Sequence, residues 1–159
     1  MPLIIMVGLP CSGKTTRANA IKNYLQEERK LDVQIVNEEL LEMGKAEYYG
    51  SAAQEKILRA SIKSNVEKLI DPQRVVIVDS QNYIKGFRYE LYCLARNSQT
   101  NIICVFCDTM PEIAQKICAE GSYENAFPQE LFPDFVGRLE RPSAGARWDS
   151  PLVHLRFEE

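Results

Sequence analysis

Apolar, β-prone runs alternate with stretches of helical periodicity along the whole chain. The runs are Leu3–Val7, Val33–Val36, Val75–Val78, Ile102–Cys107 and Leu152–Phe157, and their apolarity is continuous rather than alternating. A strand covered on both faces needs that continuity, so the pattern predicts a parallel sheet. Between the runs, Lys14–Glu28 carries Ala18, Ile21 and Leu25 at helical spacing, and Ala53–Ile70 carries Ile57, Leu58, Ile62, Val66 and Leu69. A third helix is predicted over Phe87–Arg96, and a fourth opens with Thr109 as N-cap and Pro111 in its first turn. Strand and helix in strict alternation give a three-layer α/β domain on a five-stranded parallel sheet. The stretch from Gly121 to Pro151 breaks the rhythm, with Pro128, Pro133, Pro142 and Pro151 around one short helical stretch near Gln129–Glu140. It reads as an inserted lid.

The turn after the first strand carries the chemistry. Gly8-Leu9-Pro10-Cys11-Ser12-Gly13-Lys14-Thr15 fits the phosphate-loop pattern G-x-x-x-x-G-K-[ST] without a gap, between a strand and a helix. The glycines let the backbone of Gly8, Pro10, Cys11, Ser12 and Gly13 wrap around phosphates, with N–H groups from all of these but Pro10. The Lys14 ammonium reaches the terminal ones, and the Thr15 hydroxyl is placed to coordinate magnesium. A nucleoside triphosphate is the expected ligand, and without a guanine-reading N-K-x-D segment the base expected is adenine.

Val75-Val76-Ile77-Val78-Asp79 is an apolar strand ending in an acid, so Asp79 is predicted to hold magnesium, directly or through water, at the carboxyl edge of the sheet. Asn37-Glu38-Glu39 puts acids on the same rim, where Glu38 could orient a water or a substrate hydroxyl; equally, either glutamate fits the first turn of a following helix. After Asp79, Lys85 and Arg88 could meet phosphate. Tyr83 and Tyr89 could stack on a ring or pack in the core. In the lid, Arg138, Arg141 and Arg147 could reach the charge that develops in phosphoryl transfer, or could pair with Glu130, Asp134, Glu140 and Asp149 nearby.

A chain of 159 residues is the size of one domain, and its net charge of −3 argues against strong non-specific nucleic-acid binding. No run approaches a membrane span of about 18 apolar residues, and no basic, apolar leader opens the chain, so a soluble, intracellular and monomeric protein is expected. Five cysteines suit a reducing compartment better than a disulfide framework. Cys104 and Cys107 fall on opposite faces of a strand and cannot share a metal. Cys11, beside a lysine, is either a reactive thiol or a small residue in a tight turn. His154 reads as a strand residue.

Three blocks, Met1–Thr16, Val76–Arg96 and Arg147–Leu152 (RWDSPL), resemble the killer toxin insensitivity protein twelve family, phosphate-loop ATPases that work with the Elongator complex in tRNA modification. Phosphoseryl-tRNA kinase is a more distant relative. The resemblance implies magnesium-dependent ATP hydrolysis responsive to tRNA, in support of wobble-uridine modification in cytoplasm or nucleus. It assigns Gly13, Lys14, Thr15 and Thr16 to phosphate and magnesium, Asp79 to magnesium or water, and the lid arginines to catalysis. It also implies a further carboxy-terminal domain for tRNA contact, so the chain ending at Glu159 is expected to be an ATPase domain. Gln81 stands where leucine is expected and Val153 where phenylalanine is, and Ser122–Pro128 matches poorly. Two other readings share these motifs: a small-molecule or RNA-linked kinase, and a nucleotide-dependent adaptor that does not turn over.

Overall fold

The computed structural model describes residues 2–38, 49, 51–120 and 129–157. Five strands, β1 (Leu3–Val7), β2 (Asp32–Asn37), β3 (Arg74–Asp79), β4 (Ile102–Asp108) and β5 (Leu152–Arg156), form one sheet in the order β2-β3-β1-β4-β5. Every pairing is parallel. All carboxyl ends therefore share one rim, and all amino ends share the other. The helices are α1 (Lys14–Glu27), α2 (Ala52–Leu69), α3 (Lys85–Asn97), α4 (Pro111–Glu120) and α5 (Phe132–Arg138). The predicted α/β class, its parallel sheet and each predicted strand are present, with boundaries within two residues.

Alternation along the strands divides the core into two layers. Leu3, Ile5, Val7, Val76, Val78, Cys104 and Phe106 face α2 to α5, meeting Leu58, Ile62, Phe87, Leu91, Ala114, Phe132 and Phe135. Ile4, Met6, Val33, Val75, Ile77, Val105 and Cys107 face the other way, toward Ala18, Ile21 and Leu25 of α1. Cys104 and Cys107 do lie on opposite faces. Burial pushes the Cys104 thiol up to about 12 and raises that of Cys107 too, so both are inert at neutral pH.

Two expectations need correction. The fourth helix begins at Pro111, so Thr109 lies before its cap; the Thr109 hydroxyl instead donates to the Ser12 carbonyl, 3.3 Å away. Cysteine usage also differs, because Cys11 is bonded to Cys118 of α4, with Cα atoms 5.6 Å apart. The two lie 107 residues apart in sequence, and no local pattern announces such a pair. Glu39 and Ser122–Pro128 fall outside the described residues. No helix of the described residues is long and apolar enough to cross a membrane.

Candidate functional site

The phosphate loop leaves the carboxyl end of the central strand β1, the crevice where open α/β sheets bind ligands. Its start has no room for a side chain: a Cβ on Gly8 would lie 2.5 Å from Ser12 Oγ and 2.7 Å from the Cys107 carbonyl oxygen. Its end needs a left-handed residue, which Gly13 supplies with φ 85°. Cys11 also turns left-handed, with φ 62°. Ser12 is buried and its Oγ has no hydrogen-bond partner. Lys14 is buried too, and its ammonium donates to the Leu9 carbonyl at 2.6 Å, inside the loop it serves. Thr15 and Thr16 are exposed at the start of α1. Arg17, unremarked in the sequence, flanks the loop with its Nε 3.9 Å from where a Cβ on Gly13 would stand.

Asp79 ends β3 in register with Met6 of β1 and Asn37 of β2, and Thr15 Oγ1 donates to its Oδ2 at 2.8 Å. Fold and sequence thus bring together the hydroxyl and carboxylate picked out for magnesium, residues 64 apart. An octahedral magnesium ion keeps most of its shell as water and phosphate oxygens, so one hydroxyl and one carboxylate are a sufficient protein contribution. The donor set fits that ion. Asn82, left-handed at φ 50°, fixes the crevice by donating from Nδ2 to the Met6 carbonyl at 2.7 Å, so the ends of β1 and β3 cannot part.

Glu38 stands on the same rim, one residue beyond the Asn37–Asp79 register pair. Its Oε1 accepts from the Tyr49 hydroxyl and from Ser80 Oγ, the latter at 3.1 Å. Burial, reinforced by the Glu38 charge, raises the Tyr49 phenol well above its ordinary value and keeps it a donor. Neither Tyr49 nor Ser80 was legible as a partner of Glu38.

The lid arginines divide. Arg138 donates to both oxygens of Glu55 in α2, at 2.8 and 3.0 Å, and pairs with Asp134 at 2.9 Å. Glu55 is buried and also accepts from the Tyr83 hydroxyl at 3.0 Å. Burial, with the Glu55 charge beside it, pushes that phenol up to about 12. Tyr83 is therefore a core donor, packed edge-on against Phe135 with centroids 5.1 Å apart, rather than an open stacking platform. Arg141 stays on the carboxyl rim, 2.9 Å from Asp108 Oδ2, with its side chain 60% exposed. Arg147 goes elsewhere. It lines a groove with Pro2, Thr100, Asn101 and Pro151, residues that precede β1, β4 and β5, so it sits on the amino rim and the structure does not bring it to the phosphate loop.

Arg88 also departs from its expected use. It is fully buried, donating to Asp149 at 2.9 Å and to the carbonyls of Asn82 and Glu140 at 2.9 and 2.8 Å, and has no surface to offer a phosphate. Tyr89 meets Trp148 edge-on at 5.7 Å, and the Lys85 ammonium lies 5.6 Å from the Trp148 ring. The blocks Val76–Arg96 and Arg147–Leu152 are thus mutual packing partners.

The family model described as "Chromatin associated protein KTI12" matches residues 1–159, the whole chain. The chain belongs to the KTI12 family. It is 37% identical over 159 residues to the KTI12 homolog of Xenopus laevis, covering all of this chain and 58% of that protein. It is 36% identical over 162 residues to KTI12 of Saccharomyces cerevisiae, covering 98% of this chain and 51% of that protein. The chain therefore spans little more than half the length of these relatives. A solved structure of Chaetomium thermophilum Kti12 in complex with ADP-AlF3 superposes with a TM-score of 0.88 at 36% identity, over 99% of this chain and 90% of that one. A Mycobacterium tuberculosis APS kinase in complex with AMPPNP and APS, 18% identical, shares the fold with a TM-score of 0.64 over 99% of this chain and 90% of that one. The fold is that of the KTI12 family and of phosphate-loop kinases, and a nucleotide-binding role accords with both.

Proposed function

We propose that this domain is a magnesium-dependent ATP hydrolase whose turnover responds to tRNA and serves wobble-uridine modification alongside the Elongator complex. The observation that carries the catalytic part is the phosphate loop with Thr15 and Asp79 hydrogen-bonded at the carboxyl rim. Backbone N–H groups of the loop bind the phosphates, and Lys14 exchanges the Leu9 carbonyl for the terminal phosphates. Thr15 and Asp79 would hold magnesium, which when bound neutralises charge on the phosphates. Glu38, oriented by Tyr49 and Ser80, positions the attacking water, and Arg141 or Arg138 meets the charge that develops. The ADP-AlF3 in the Chaetomium thermophilum relative supports this reading.

The described packing beside Glu38 accords with hydrolysis. Tyr49, Tyr83 and Phe135 close edge to face there, with ring centroids 4.9 and 5.1 Å apart, and the Glu55–Arg138 pair fills the space between α2 and α5. Among the described residues, a cavity of about 20 Å³ lined by Tyr49, Glu55, Ser80 and Tyr83 has room for one water. The roles of tRNA and Elongator rest on family membership. Phosphate release from labelled ATP, with and without tRNA, tests the whole proposal. Magnesium-dependent release that tRNA accelerates is expected, and label transferred to RNA or a small hydroxyl compound instead would make the domain a kinase. Nucleotide binding with no turnover would make it an adaptor.

A further inference from the structure

The Cys11–Cys118 bond joins the phosphate loop to the last turn of α4, across the boundary between β1 and β4. We propose that this pair is a reversible redox modification site that sets the affinity of the loop for nucleotide. The inference rests on the loop's being the nucleotide site.

The other cysteines make the pair distinctive. Cys104 and Cys107 are buried with raised thiol pKa values, which leaves them unreactive, and Cys93 lies on α3 away from the loop. Cys11 is partly exposed, whereas Cys118 is 5% exposed. A dithiol reductant therefore attacks the Cys11 sulfur. Its thiolate forms a mixed disulfide with Cys11 and expels Cys118 as a thiolate, which takes up a proton. The reductant's second thiol then closes its own disulfide and releases Cys11. Two electrons and two protons pass from the dithiol to the protein, and a disulfide-form oxidant such as oxidised glutathione reverses the exchange.

The consequence for the loop follows from backbone conformation. Cys11 is left-handed at φ 62°, a region that disfavours a residue with a Cβ. Among the described residues, no hydrogen bond of Cys11 itself holds it there. The bond to α4 does, because α4 is anchored by Ala114 and Cys118 in the core. Thr109, two residues before α4, adds a second tie to the loop at the Ser12 carbonyl. With the disulfide intact, Cys11 is already held in the left-handed turn of the loop. Reduction leaves the hydrogen bonds of Thr109 with Ser12, of Gly8 with Gln81 and of Lys14 with Leu9, and the loop around Cys11 gains conformations that phosphate must then select against.

The test uses the 159-residue chain equilibrated in glutathione buffers from oxidising to reducing. Peptide mapping after denaturing alkylation follows the Cys11–Cys118 cross-link. Thermal unfolding reads the tie without nucleotide, and titration with a fluorescent ATP analogue reads affinity. The oxidised protein is expected to carry the cross-linked peptide, to melt several degrees higher and to bind the analogue about tenfold more tightly than the reduced protein. Cys118→Ser, which leaves the phosphate loop intact, should match the reduced protein in every buffer. Absence of the cross-link in the folded, oxidised protein would overturn the proposal, as would equal affinity in the two redox states. Because the cross-link and the melting shift need no nucleotide, their failure is distinct from failure of the proposed activity.

Discussion

Asp149→Ala should be among the most damaging single changes outside the phosphate loop, though Asp149 itself lies away from that loop, just before β5. Arg88 and Asp149 are 0% and 1% exposed, so removing the carboxylate strands a guanidinium in the core. Breaking a buried pair from one side costs about 3–5 kcal/mol. Here Arg88 keeps the carbonyls of Asn82 and Glu140, which favours the lower end, while the Ser143 N–H loses its acceptor, Asp149 Oδ2 at 3.1 Å. About 3 kcal/mol is then expected, a large share of the roughly 5–15 kcal/mol that keeps a domain folded. With a urea dependence near 2 kcal/mol per molar, the unfolding midpoint should fall by about 1.5 M, read by circular dichroism. The double variant Arg88→Met with Asp149→Leu removes both charges and should recover most of that loss. A midpoint shift below about 0.5 M for Asp149→Ala, or a double variant worse than the single one, would show that water reaches the pair and the reasoning fails.

Lys14→Ala and Asp79→Ala should each lower ATP turnover by more than about a hundredfold, ~3 kcal/mol of transition-state stabilisation, while circular dichroism shows an intact fold. Near wild-type turnover in either would remove the proposed site. Arg138→Ala or Arg141→Ala should lower kcat about tenfold or more with little change in nucleotide affinity, whereas Arg147→Ala, on the amino rim, should stay within about twofold. Normal kcat in both rim variants would leave those arginines as partners of Glu55 and Asp108 alone. Burial raises the Asp108 carboxyl, but hydrogen bonds from His154 and Arg141 outweigh it and hold the group below its ordinary 3.8. A carboxylate lowered on folding stabilises above its unfolded pKa and loses that contribution as pH falls through the folded one. Asp108→Asn should therefore narrow the stability difference between neutral pH and pH below about 3.8, measured by urea midpoints, and an unchanged difference would count against it.

The central strands β1, β3 and β4 were legible because they are buried and apolar almost without interruption, whereas the edge strands β2 and β5 are half-exposed and carry Gln34 and His154 within their apolar runs. The polar ends of β2 were not legible: Asp32 and Asn37 extend β2 through register with Arg74 and Asp79, and Arg74 Nε pairs with Asp32 at 2.8 Å. The helix after Asp79 begins at Lys85 rather than Phe87, and the Lys85 N–H meets the Glu140 carboxylate at 3.4 Å, 55 residues away in sequence. Distance along the chain hid the other contacts as well. A cationic residue with no nearby acid reads as free for phosphate, and Arg88 reads so until Asp149 arrives from 61 residues away. Glu55 and its partner Arg138 are 83 residues apart, so no local pattern announces that pair either.

The placement of Arg147, by contrast, follows from topology alone. Because β5 runs parallel to β4, the chain must travel from the carboxyl rim back to the amino rim between Asp108 and Leu152. Arg141 still contacts Asp108 at the carboxyl end of β4, so the return is made by the few residues between Arg141 and Leu152. The Arg88–Asp149 pair and the Tyr89–Trp148 contact fasten that return to α3. A family block such as RWDSPL thus has a packing role that is specific in itself. Its tryptophan and aspartate hold the returning chain in place, which fixes where the segment before it, with Arg138 and Arg141, meets the rest of the domain.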